Sequence, residues 1–193
     1  MAQILDLSKR FTQEQIETAQ LSSAPLLDIP AGGYVCKIIR PILNDDRASG
    51  KANIELQVDI SEGEYTGYFQ KLEDRAGFWG LRGWMSFKES QLPNFQRACA
   101  ALCNSNPGLK FNPFAPGGAD IDSLEGKTIG VILGKEEYRS SSGDIREKSV
   151  VSRFIEVEKI KAKKFKVPEL KRLKEDAGDP AFVPVSDKEE IPY

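Results

Sequence analysis

Aromatic and basic residues are interleaved in two parts of the chain, a pattern typical of surfaces that bind single-stranded nucleic acid. Aromatic rings stack on bases, and lysine or arginine side chains contact phosphates. Residues 65–88 hold both tryptophans and offer the candidates Tyr68, Phe69, Lys71, Arg75, Trp79, Arg82 and Trp84. A predicted hairpin offers Tyr138, Arg139, Arg146 and Lys148, and the turn between the first two predicted strands offers Arg47 and Lys51. We expect these residues to form a nucleic-acid interface.

Each of these residues also has an ordinary structural interpretation. An aromatic ring can fill the core, and a basic residue can simply keep the surface soluble. Trp79 and Trp84 stand among glycines in FWGLRGWMSF, where a core position is hardest to arrange. Stacking is therefore expected there first.

Enzymatic chemistry has little support in the sequence. The 193 residues include no histidine, the side chain that most often acts as general base near neutral pH and that often ligates zinc. Carboxylate pairs such as Asp45 and Asp46 are adjacent in sequence, and adjacent strand residues point to opposite faces. Catalysis by carboxylates would need two acids at a catalytic separation in a concave pocket. We predict a protein that is not an enzyme and has no cofactor.

Two of the three cysteines, Cys99 and Cys103, are better explained as core residues than as metal ligands. Cys99 and Cys103 lie on one apolar helical face, and the only other sulfur ligand is the distant Cys36, which would leave zinc under-coordinated. An odd, widely spaced set also argues against a disulfide framework and favours a reducing compartment. The chain shows no signal-peptide pattern and no stretch apolar enough to span a membrane. We expect a cytoplasmic protein without membrane contact.

The elements that must position the candidate residues are mostly strands. YVCKII begins a first strand to about Leu43, NIELQVDI alternates as a half-buried second strand, and YTGYFQKL is a third. The segment with both tryptophans is predicted to be an ordered loop or a poorly regular insertion. The apolar spacing from Phe95 to Cys103 predicts an amphipathic helix that stops before Asn106-Pro107-Gly108, and KTIGVILGKEEY and EKSVVSRFIEVEKI predict a final hairpin.

This order of elements predicts a mainly β fold, a five-stranded OB-like barrel with a helix between strands 3 and 4. A small α+β sheet is the alternative. We assign residues 1–30 to an N-terminal arm with a short helix and residues 31–160 to the OB-like domain. Residues 161–193 are a basic segment followed by a flexible acidic tail.

Charge changes sign near the C-terminus, although the whole chain carries only -2. Residues 151–174 contain nine basic and three acidic side chains, so they are either solvated or contact phosphates. Residues 175–193 contain six acidic and one basic side chain. The tail ends in the predicted partner-binding tip Glu189, Glu190, Ile191, Pro192 and Tyr193. Such a tip can dock in a hydrophobic pocket while the acid competes with nucleic acid, or the tail can only improve solubility.

Four segments, taken in order and spacing, resemble a family of phage-encoded proteins with a single-stranded-DNA-binding-like role, described as a domain of unknown function. They are GEYTGYFQKLED, LCNSNPG, DSLEGKTIGVILGKEEYRSSSGD and SRFIEVEKIKAKKFKVPELKRL. EEIPY is similar to the acidic C-terminal tip of bacterial single-stranded-DNA-binding proteins, which ends in Ile-Pro-Phe; here Tyr193 replaces the phenylalanine and Lys188 dilutes the acid. The resemblance implies an OB-type fold and cytosolic action in phage replication or recombination.

We therefore predict sequence-independent binding of single-stranded DNA, by aromatic stacking and basic phosphate contacts. The alternative is a protein-interaction adaptor that recruits replication or recombination enzymes through the barrel and the tail. The sequence leaves open a homo-oligomer, a preference for DNA or RNA, and the identity of any protein partner.

Overall fold

The structure is a computed structural model that describes residues 29–46, 52–77, 79–140 and 142–173. The predicted helix of the N-terminal arm, the acidic tail with its tip, Arg47 and Lys51 lie outside the described residues.

The described chain is built on a five-stranded antiparallel sheet in the order β3-β2-β1-β4-β5. The strands are β1 (Gly32–Asn44), β2 (Asn53–Ile60), β3 (Arg82–Ser86), β4 (Thr128–Arg139) and β5 (Ile145–Ile155). The helices are α1 (Tyr68–Ala76), α2 (Leu92–Ser105) and α3 (Val157–Lys161), with 3-10 turns at Glu89–Gln91 and Asp122–Leu124. The predicted mainly β fold, with five strands and a helix between strands 3 and 4, is confirmed at this level. No helix in the described ranges is long and apolar enough to cross a membrane.

Strand β2 crosses the centre of the core. Its apolar residues Ile54, Leu56, Val58 and Ile60 are at most 1% exposed. The alternating polar residues Glu55, Gln57 and Asp59 are buried as well, so the prediction of a half-buried strand was wrong for its polar face. Each of these polar side chains has a hydrogen-bond partner, as is usual for buried polar groups. Gln57 donates to Glu55, and Asp59 accepts from backbone N–H groups.

The segment predicted as the third strand is helix α1 instead. Asp59 on β2 stabilises the start of this helix, because its carboxylate accepts hydrogen bonds from the backbone N–H groups of Phe69 and Gln70 at 3.0 and 3.2 Å. The first N–H groups of a helix have no partner within the helix, so a carboxylate there stabilises the helix start. Gly67 precedes the helix in the left-handed region, at φ +70°. The cap comes from a neighbouring strand, so the local sequence pattern could not show it.

The true third strand lies in the segment predicted to be a loop. In β3 the residues alternate strictly, because Arg82 and Trp84 are exposed whereas Gly83 and Met85 are buried. It pairs with β2, and Trp84 lies opposite Glu55. The strand is short, so its period was too brief to stand out among the surrounding glycines.

Helix α2 matches its predicted face, with Phe95, Ala98, Cys99 and Leu102 buried. The prediction of a core cysteine is confirmed for Cys99, whereas Cys103 is half-buried; Cys36 on β1 is buried as well. Burial raises the pKa of the Cys99 thiol to about 11. A neutral, buried thiol of this kind is a packing residue.

The sheet is open between its edge strands. No hydrogen-bonded ladder joins β3 to β5 within the described residues, yet the strands come close at Gly83. A Cβ built on Gly83 would overlap Phe154 Cζ and would lie 2.8 Å from Val151 Cγ1. A larger residue would therefore have to displace these two side chains, whereas glycine allows the close approach.

Residues 162–173, which we call the C-terminal strap, fold back over the sheet after α3. Phe165 packs against the cluster of Val35, Ile132, Val157 and Ile160. Further along, the Lys171 N–H donates to the Lys135 carbonyl and the Glu137 N–H donates to the Lys171 carbonyl, both at 3.0 Å. The strap is therefore packed against the sheet and α3.

Candidate nucleic-acid interface

The gap between β3 and β5 forms a surface groove, which we call the seam groove. It consists of two clefts that share the residues Trp84, Val151 and Ser152. The helix cleft, of about 440 Å³, lies between β3, α2 and β5. The strap cleft, of about 500 Å³, lies between β3, the β4–β5 hairpin and the C-terminal strap. Both clefts therefore open beside the same tryptophan.

Trp84 is the main aromatic residue of the groove. Its side chain points outward because β3 alternates, and it is 57% exposed. An exposed indole offers a large, rigid apolar face on which a ligand can pack. The ring is placed to stack on a planar ligand group.

Basic side chains surround this ring on both sides. Among the described residues, the strap cleft is lined by Arg82, Lys135, Lys148 and Lys171, together with Glu136 and Glu169. The helix cleft is lined by Arg97, Arg153 and Lys159, together with Glu156. Basic groups outnumber acidic groups in each cleft, so the groove attracts anions although the whole chain is weakly acidic.

Two of the acidic groups are held by neighbouring lysines. Lys171 Nζ lies 2.7 Å from Glu136 Oε1, and this hydrogen bond is the main reason that the pKa of Glu136 is lowered. In the helix cleft, the Asn104 amide and then Lys159 lower the pKa of Glu156. Both carboxylates are therefore charged at neutral pH and engaged with their partners.

The two arginines of the helix cleft hydrogen-bond to neutral groups. Arg97 donates to Asn94 Oδ1 at 3.2 Å, and Arg153 donates to the Lys166 carbonyl at 2.9 Å. These contacts orient the guanidinium groups without cancelling their charge. Both arginines retain further donors for an anionic ligand.

Trp79 and Phe69, both predicted to stack on bases, are core residues. Trp79 is 3% exposed, its Nε1 donates to the Leu81 carbonyl at 2.8 Å, and the Arg40 guanidinium lies 5.6 Å from its ring centre. Phe69 is 5% exposed. The glycine beside Trp79 serves close packing, because a Cβ on Gly80 would lie 2.9 Å from Leu72 Cδ2.

The structure does not unite all the predicted contacts on one surface. Arg82, Trp84 and Lys148 come together in the seam groove. Tyr68 is half-buried against Phe69, and Lys71 and Arg75 are exposed on α1, outside both clefts. Tyr138, Arg139 and Arg146 lie at the far end of the β4–β5 hairpin, and the last two contact Gly143 and Asp144 there.

Several groove residues were not among the predicted contacts. Arg153, Lys159 and Lys171 belong to the basic run of residues 151–174, whose charge excess was the signal that could have found them. Arg97 and Lys135 carried no such signal. They reach the groove only through the packing of α2 and the hairpin.

Comparison with protein-family models and with curated proteins found no match.

Proposed function

We propose that this protein binds single-stranded DNA along the seam groove, largely independently of sequence and without catalysis. The observation that carries the proposal is Trp84, a 57% exposed ring between two clefts in which basic side chains outnumber acidic ones. Single strands are held by the same two elements, a stacking ring and a positive groove. A duplex keeps its base faces covered by neighbouring bases, so the free ring favours a single strand.

We also propose that the open sheet is a partly open OB-like barrel. The strand order and the close approach of β3 to β5 at Gly83 support this. In such barrels the face of strands 2 and 3 carries the ligand, and here β3 contributes Arg82 and Trp84. The proposed setting is cytoplasmic phage replication or recombination, as the sequence resemblance implies, with the acidic tail recruiting partner enzymes.

Removal of the two helix-cleft arginines tests the proposal. The double variant Arg97→Ala/Arg153→Ala and the matched control Arg75→Ala/Arg139→Ala each remove two exposed charges. Fluorescence anisotropy of a labelled oligothymidylate would measure the affinity of the full chain at low and moderate salt. We expect weaker binding and a shallower salt dependence for the first variant only, because only its charges line the groove.

Other outcomes would contradict the proposal in different ways. Equal losses in both variants would mean that the charge is general and the groove is not the site. Absence of binding by the folded wild-type chain would overturn the function and favour the adaptor hypothesis.

A further inference from the structure

The helix cleft has an apolar floor beneath its charged walls. Met85, Phe95 and Phe154 are 2%, 6% and 8% exposed and line its base. On α2, Ala98 and Ala101 face the same space, and their small side chains leave it open. A cleft of about 440 Å³ is within the size range of small-molecule sites.

The walls of the cleft carry polar groups suited to a nucleotide. Arg97 on α2 and Arg153 on β5 both line the cleft, and their described hydrogen bonds are to neutral acceptors. The Asn94 side chain also lines the cleft; its amide donates to Gln91 Oε1 at 2.7 Å and its Oδ1 accepts from Arg97. Trp84 stands at the opening that the two clefts share.

We propose that the helix cleft binds one nucleobase unstacked from its neighbours in the strand, with its phosphate held by Arg97 and Arg153. The inference rests on the proposed function, because continuity with Trp84 identifies the occupant as part of the bound strand. The apolar floor takes the base, and the arginines match the charge of the phosphate. A free nucleotide has the same chemistry, so the experiment must separate the two sources.

Filling the cleft tests this inference. Ala101→Leu adds a branched side chain at a buried position on the floor of the cleft. Ala100→Leu adds the same side chain at an exposed position on the rim of the cleft. The control is Gln96→Leu, an exposed position on α2 that lines neither cleft. Anisotropy with labelled oligothymidylate, competed by unlabelled thymidine monophosphate, would be measured for each full chain. Thermal unfolding would show that each variant is folded.

We expect both cleft-filling variants to lose at least about fivefold in oligonucleotide affinity, the lower limit for one stacked base, and the control to stay within about twofold. Competition by thymidine monophosphate at near-millimolar concentration in the wild type, lost on filling the cleft, would support the inference, because the strand and the free nucleotide would then share the cleft. Thermal stabilisation of the wild type by thymidine monophosphate, lost on filling the cleft while oligonucleotide affinity stays unchanged, would assign the site to a free nucleotide instead of the strand. Unchanged affinity in a folded Ala100→Leu chain would overturn the inference. If Arg97→Ala/Arg153→Ala still weakened binding in that case, the proposed function would stand without it.

Discussion

Replacement of Trp84 by alanine removes the exposed ring at the centre of the seam groove. A tryptophan buries up to about 250 Å² and Trp84 is 57% exposed, so roughly 100 Å² of covered surface is lost. At about 25 cal/mol per Å², the free energy of unfolding falls by at most about 2.5 kcal/mol. A stacked base contributes about 1–3 kcal/mol to binding, so the dissociation constant should rise about 5- to 150-fold.

Tryptophan fluorescence offers a second readout of the same change. The chain has two tryptophans, and Trp79 is buried at 3% exposure. Quenching by a bound strand should therefore come from Trp84 and should disappear in Trp84→Ala. Anisotropy of a labelled oligothymidylate gives the affinity, at a temperature where circular dichroism shows the variant to be folded.

Trp79→Phe is the matched control. It removes a buried indole and its hydrogen bond to the Leu81 carbonyl, so stability should fall by about 1–3 kcal/mol. Trp79 lines the wall of the strap cleft, but it is only 3% exposed and presents no open ring face, so the affinity of this variant for the strand should stay within about twofold. Trp84 does not stack on a base if Trp84→Ala binds the strand as well as the wild type does. The same conclusion follows if folded Trp79→Phe loses as much affinity as Trp84→Ala.

Three further changes test the fold around the groove. Asp59→Ala should destabilise the chain by about 1–3 kcal/mol in urea unfolding, because it leaves the first N–H groups of α1 without their buried acceptor. Gly83→Val should cost about 1–3 kcal/mol and weaken DNA binding, because its side chain would meet Phe154 where β3 approaches β5. Glu136→Gln should speed hydrogen exchange of the Lys171 and Glu137 amides, because it weakens the contact that holds the strap. In the wild type that contact exists above the ordinary glutamate pKa and is lost as pH falls through the lowered pKa of Glu136.

Each of these predictions can fail clearly. Asp59→Asn keeps one acceptor oxygen and should lose less stability than Asp59→Ala, so equal losses would argue against the capping role. Wild-type affinity in a folded Gly83→Val chain would show that the close approach is unimportant for binding. Unchanged exchange in Glu136→Gln would mean that the main-chain bonds alone hold the strap.

The sequence predicted those elements in which the spacing of apolar residues is regular over a long continuous segment. The alternation of β2 and the helical spacing of α2 each place the apolar residues on one face, so both elements were found. Helix α1 was missed because its cap is Asp59 on another strand. The polar face of β2 was expected to be exposed, and only the tertiary packing buries it.

The candidate site was predicted only in part, because its geometry also depends on tertiary packing. Trp79 and Trp84 have similar glycine-rich surroundings in the sequence. Trp84 is exposed because its side chain lies on the outward face of β3, whereas Trp79 is buried. The groove also draws its charge from separate elements, with Arg97 on α2, Arg153 on β5 and Lys171 on the strap. Such a grouping follows from packing and is not visible in any single segment.

The most direct test of the proposed function is the salt dependence of binding to single-stranded and duplex oligonucleotides of the same sequence. The full chain should prefer the single strand. The logarithm of its binding constant should fall linearly with the logarithm of salt concentration, with a slope between about -2 and -5. Each phosphate contact to a single strand contributes about -0.7 to this slope. Equal binding of the duplex, or single-strand binding with a slope near zero, would contradict the account.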